Sequence, residues 1–126
     1  MNITSNVFVV DDDAAIRKSL RMMLNVAGCN VTTFSSANEF LAICNPETEG
    51  CIILDVNMPG MNGPALQEEL NRRGTHLPII FLTGQGTIPL SVRTLKAGAM
   101  DFLTKPVCAL PHKLQLKYPI SYNFLN

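Results

Sequence analysis

A chain of 126 residues has room for one domain around a single core. Hydrophobic residues make up 47% of it and charged residues 16%, which excludes a disordered chain, and no uninterrupted apolar run reaches membrane-spanning length. Ten basic and ten acidic side chains cancel, which leaves no electrostatic footprint for nucleic acid, yet residues 1–70 hold nine of the ten acids and residues 71–126 seven of the ten bases.

The opening MNITSNVFVV has no basic segment before its apolar run, so it reads as a first strand over 7–10 and not as a secretion signal, and a cytoplasmic protein is expected. Asp11, Asp12 and Asp13 follow at once. Residues 14–27 place Ile16, Leu20, Met23, Leu24 and Ala27 on one helical face and turn Arg17, Lys18 and Arg21 away, with Asp13 to cap the start and Gly28 to close the end. A partly polar run over 31–34 fits a sheet edge, and Ser36 with Glu39 forms a capping box for a short helix reaching Cys44.

The apolar run CIIL over 51–54 is a central strand ending in Asp55. Beyond the loop VNMPGMNG, Pro64 sits in the first turn of a helix that runs to about Arg73 and stops at Gly74. Residues 79–82 form a strand ending in Thr83, residues 88–97 a helix, and residues 100–103 a last strand that leads into Thr104, Lys105 and Pro106. Five strands alternating with four clear helices imply an α/β fold, an open parallel sheet covered on both faces by right-handed crossovers. Cys29, Cys44, Cys51 and Cys108 show no C-x-x-C spacing, so buried thiols are expected. His76 and His112 have no paired ligand spacing.

In such sheets the functional crevice lies beyond the carboxyl ends of the strands. Asp11, Asp12, Asp13, Asp55, Thr83 and Lys105 all fall there. Clustered carboxylates repel one another, and a hard divalent cation relieves that repulsion. Asp12 and Asp55 could each give an oxygen to Mg²⁺, with a backbone carbonyl near Asn57 as a third ligand. A carboxylate can also act as the nucleophile toward phosphorus, with the Thr83 hydroxyl and the Lys105 ammonium placed for the phosphoryl oxygens.

The segments VVDDD, ILDVNMPGMNG, PIIFLTGQG and LKAGAMDFLTKP together resemble the receiver domain of two-component response regulators over roughly the first 106 residues. GQGTIP and LKAGAMDF look most like the subgroup with a LuxR-type helix-turn-helix output domain. The resemblance implies a three-layer flavodoxin-like (CheY-like) fold with strand order 2-1-3-4-5. It implies that Asp55 accepts phosphate from a sensor histidine kinase and that the domain assists its own phosphorylation and dephosphorylation. Asp12, Asp55 and the Asn57 carbonyl would ligate Mg²⁺, for which Mn²⁺ can substitute, and Asp11 would support the ion through water. Asp13 fills the third acidic position. Thr83 and Phe102 match the pair that rearranges on phosphorylation, Lys105 would contact the phosphoryl group, and the bond to Pro106 would be cis. A homodimer on phosphorylation is a further implication, and contact with DNA is expected only through an output domain that this chain does not show.

Two rival readings are open. A haloacid-dehalogenase-like phosphatase would use Asp11 as nucleophile in D-x-D-x-[TV], but Ala15 stands where Thr or Val is required. A protein-binding module without phosphorylation is the other. Residues 107–126 depart from the receiver pattern, because Pro111 and Pro119 interrupt the place of the usual fifth helix and no acid is present. One receiver domain over 1–126 with an atypical or incomplete fifth helix is therefore expected.

Overall fold

The computed structural model describes residues 6–83 and 101–104. Within them the apolar runs form strands and the amphipathic stretches form helices, in the order β1 (Asn6–Val10), α1 (Ala14–Val26), β2 (Asn30–Phe34), α2 (Ala37–Ile43), β3 (Cys51–Asp55), α3 (Gly63–Arg72), β4 (Ile79–Thr83) and β5 (Asp101–Thr104). All four strand pairings are parallel, and the sheet order is β2-β1-β3-β4-β5. That is the doubly wound, flavodoxin-like order expected from the sequence. The helix expected over 88–97, the Lys105–Pro106 bond and the atypical segment 107–126 lie outside the described residues.

The sheet is central because β3 is buried along its whole length. Alternate side chains enter opposite cores. Cys51 and Ile53 join Val7, Val9, Leu20 and Leu24 on the α1 side. Ile52 and Leu54 join Phe40, Leu66 and Leu70 on the α2 and α3 side. Phe34 meets Phe40 edge-on there, with ring centroids 5.3 Å apart and an interplanar angle of 80°, an arrangement worth about 0.5–1.5 kcal/mol beyond area burial.

Each helix starts on a side-chain cap. Asp13 accepts a hydrogen bond from the Ala15 amide at 2.9 Å and opens α1. The α1 helix closes at Gly28, whose φ of 96° suits a residue without a Cβ. Ala27 is the C-cap, not part of the helical face. Ser36 accepts from the Glu39 amide at 3.2 Å, while Glu39 reaches back to the Ser35 amide at 2.8 Å. The capping box therefore closes one residue further out than the usual pattern. Asn62 caps α3, accepting from the Ala65 amide at 2.9 Å, a cap not expected from the sequence.

Arg17 corrects an expectation. Helical periodicity turns it to the solvent face of α1, but its side chain is half-buried, and Nη1 donates to the Asp11 carbonyl at 2.7 Å. Long helical side chains lean toward the N-terminus, which is where Asp11 lies. Cys29, Cys44 and Cys51 are free thiols, and burial pushes Cys29 and Cys51 up to about 12.

Candidate functional site

Parallel pairing of β1 with β3, with Val10 opposite Leu54, brings the residues that follow each strand to the same end of the sheet. Asp11 is fully buried, Asp55 is 4% exposed, and Asp12 is exposed. The three carboxylates each offer an oxygen within 4.8 Å of the others. Among the described residues, this is the single group of three or more metal-ligating side chains so placed.

Backbone groups fix the surrounding loops. The Asp11 amide donates to the Phe34 carbonyl at 3.1 Å, which ties the first acidic residue to the end of β2. Asp11 Oδ1 accepts from the Asp13 amide at 2.8 Å, and Asp13 in turn caps α1. The Asn57 amide donates to Asp55 Oδ1 at 3.3 Å, so the loop after β3 folds back over the carboxylate. The Val56 amide donates to the Leu82 carbonyl at 2.9 Å, and the Gly63 amide to the Val56 carbonyl at 3.1 Å. The start of α3 is thereby held against the end of β3.

The backbone of Thr83 ends β4, next to the strand end that carries Asp55. Phe102 pairs in register with Phe81 in β5. Lys105 and Pro106 lie outside the described residues. The structure thus brings Asp11, Asp12 and Asp55 together and gives Asp13 to the helix cap.

The family model of the response regulator receiver domain matches residues 7–115. The chain belongs to that family. Nodulation protein W of Bradyrhizobium diazoefficiens is 48% identical over 100 residues, covering 79% of this chain and 44% of that protein. Transcriptional regulatory protein FixJ of Azorhizobium caulinodans is 49% identical over 100 residues, covering 79% of this chain and 47% of that protein. The chain spans less than half the length of these two curated relatives.

The same likeness appears in three dimensions. The response regulator StyR superposes with a TM-score of 0.84 at 44% identity, over 94% of this chain and 61% of that one. The FixJ-N crystal structure gives 0.82 at 35% identity, over 97% of this chain and 96% of that one. This receiver is therefore the kind of domain found in two-component response regulators, with regulators of transcription among its relatives. The family match goes to the receiver and not to a haloacid-dehalogenase-like phosphatase.

Two residues that shape the receiver's acidic end were not singled out from sequence. Arg17 holds the Asp11 carbonyl, and nothing in helical periodicity marks it. Gly63 lets α3 approach β3, since a Cβ there would come 2.5 Å from the Asp55 carbonyl oxygen. An Asn-Gly-Pro sequence at a helix start is the signal that could have pointed to it.

Proposed function

We propose that this receiver takes a phosphoryl group from a sensor histidine kinase onto Asp55, with a divalent cation held beside it, and relays the change to a protein-contact surface. The observation that carries the reading is the meeting of Asp11, Asp12 and Asp55 at one end of the sheet.

The donor set fits Mg²⁺. Octahedral oxygens at about 2.1 Å from the ion lie about 3.0 Å apart when adjacent and about 4.2 Å apart when opposed. Carboxylate oxygens within 4.8 Å of one another need only small side-chain movements to reach that spacing. Asp12, Asp55 and the Asn57 carbonyl would hold the ion, and Asp11 would support it through water; Mn²⁺ offers the same charge to the same oxygens. When bound, the cation supplies positive charge against the carboxylates and the incoming phosphoryl oxygens.

An Asp55 oxygen attacks phosphorus. The new P–O bond forms as the P–N bond of the donor phosphohistidine breaks, and the imidazole nitrogen keeps the electron pair and takes up a proton. The Asn57 amide steadies the Asp55 carboxylate during attack. The Thr83 hydroxyl and the Lys105 ammonium would meet the phosphoryl oxygens. Thr83 drawn toward the phosphoryl group, with Phe102 turning inward, would remodel the face made by the helix expected over 88–97 and the fifth strand, for pairing of two copies or output contacts.

A single receiver domain over 1–126 with an altered C-terminal segment is part of this reading, as is a cytoplasmic site of action. No helix among the described residues is long and apolar enough to cross a membrane. Relatives named as transcriptional regulators support a transcriptional readout, with DNA contacted through a separate output domain, of the LuxR-type helix-turn-helix subgroup.

The test is intact-protein mass spectrometry after incubation with Mg²⁺ and acetyl phosphate. One added phosphoryl group is expected, absent with EDTA and absent in Asp55→Asn. A stable acyl phosphate retained by Asp55→Asn, or found instead on Asp11, would overturn the assignment.

A further inference from the structure

Arg17 donates to the chain on both sides of Asp12. Its backbone amide donates to the Asp13 carbonyl at 3.0 Å, and its Nη1 reaches back to the Asp11 carbonyl at 2.7 Å. The first bond is an ordinary turn of α1, but the second spans six residues and helix geometry does not require it. An arginine beside carboxylates is well suited to pair with one, and Asp11 carries one next to that carbonyl. Among the described residues, however, the ion pairs join Glu69 to Arg72 and Arg73, and Arg17 gives its side-chain hydrogen bond to a peptide carbonyl.

That carbonyl belongs to the peptide plane joining Asp11 to Asp12. The next plane, joining Asp12 to Asp13, is held by the Asp13 amide, which donates to Asp11 Oδ1 at 2.8 Å. The two backbone torsions of Asp12 are the rotations between these planes, so both are set by contacts made outside the residue. The Asp11 amide, bonded to the Phe34 carbonyl at 3.1 Å, anchors the same stretch to the sheet. Asp12 itself is exposed, so burial does little to orient it.

We propose that Arg17 is a positioning residue for the divalent cation, and that its hold on the peptide between Asp11 and Asp12 sets the direction from which Asp12 meets the ion. The inference rests on the cation site proposed above and adds a residue that acts through Asp12. Removing a group that orients a metal ligand typically costs about 10–100-fold in metal affinity. The sign of the change separates geometry from charge. A guanidinium acting through its charge alone would repel the ion, so its loss would tighten binding, whereas loss of a positioning contact weakens it.

The test titrates the full 126-residue chain with Mn²⁺ and reads the free ion by electron paramagnetic resonance. One saturable site is expected in the parent, lost in Asp12→Asn. Arg17→Met, which keeps the bulk and removes the donors, should bind Mn²⁺ about tenfold more weakly. Arg17→Lys keeps a donor of similar reach and should recover most of the affinity. Arg17→Gln, two bonds shorter, repeats the test if the Met variant does not fold. A merely structural contact would lower the melting temperature and leave the Mn²⁺ affinity where it was. Unchanged or tighter Mn²⁺ binding in a folded Met or Gln variant would overturn the inference and leave the cation site standing. No saturable binding in the parent would overturn the cation site itself, and this inference with it.

Discussion

Gly63 stands so close to Asp55 that a Cβ added to it would meet the Asp55 carbonyl oxygen at 2.5 Å and the Phe81 ring at 2.9 Å. Neither neighbour is a flexible chain end, since one is backbone of the central strand and the other a fully buried ring. Gly63→Ala should therefore destabilise the domain by about 1–3 kcal/mol, the usual range for overpacking. Urea denaturation should show a lower midpoint with an unchanged slope. The same variant should be phosphorylated more slowly, because the strain falls on the residue proposed to carry the phosphoryl group.

Arg17 should matter to stability more than its neighbours on the same helix. Its guanidinium donates to the Asp11 carbonyl at 2.7 Å from a half-buried position, whereas Lys18 is exposed. Arg17→Ala is expected to lose about 1.5 kcal/mol, the lower part of the range for hydrogen bonds made by charged groups. Lys18→Ala should stay within about 0.5 kcal/mol. Parallel denaturation curves of the two variants check this.

Three carboxylates held within 4.8 Å are self-repelling until a cation joins them. Without divalent ions, Asp12→Asn should raise the stability by about 1 kcal/mol, equivalent to a few degrees in Tm. Added Mg²⁺ should raise the Tm of the parent protein and leave that of Asp12→Asn nearly unchanged. Thermal melts with Mg²⁺ and with EDTA decide it, and a variant that still gains from Mg²⁺ would place the ion elsewhere.

On α3, Arg72 and Arg73 both donate to Glu69 and hold its carboxylate down to about 2. The folded pKa lies below the unfolded one, so the pairing is fully present above the ordinary glutamate range and is lost as the pH falls through about 2. Carbon-detected NMR titration should place the Glu69 midpoint near 2, and Arg72→Ala should move it upward. Because Arg72 and Arg73 are exposed, added salt should also move it up.

The sheet and the acidic group were legible in the sequence because parallel strands bury both faces and expose their chemistry only where they end. Asp55 stands out after CIIL for that reason, and so does the aspartate run after FVV. Helix starts were legible at Asp13, which precedes an amphipathic run, and at Ser36, which forms a capping box with Glu39, but not at Asn62, which caps α3 without an acidic partner three residues on. The Arg17 contact was not, since periodicity assigns a residue to a helical face without saying how far a long side chain leans along the axis. Gly63 escaped because its constraint is a distance to another strand, which no local pattern encodes. Gln67 escaped for the opposite reason, since a glutamine on an exposed-looking helix gives no hint that the chain will bury it.

The position of β1 between β2 and β3 has a consequence for how the protein is made. A ribosome delivers this strand before either neighbour, and both of its edges stay open until later chain arrives. The Val31–Phe34 backbone can close one edge early, but the other waits for Cys51–Asp55, and the only routes between them are parallel crossovers, which form slowly. The pairing that covers the last open edge of β1 is the one that delivers Asp55 to Asp11 and Asp12. A nascent chain therefore brings its three clustered carboxylates together in the same event that removes the exposed edge of β1.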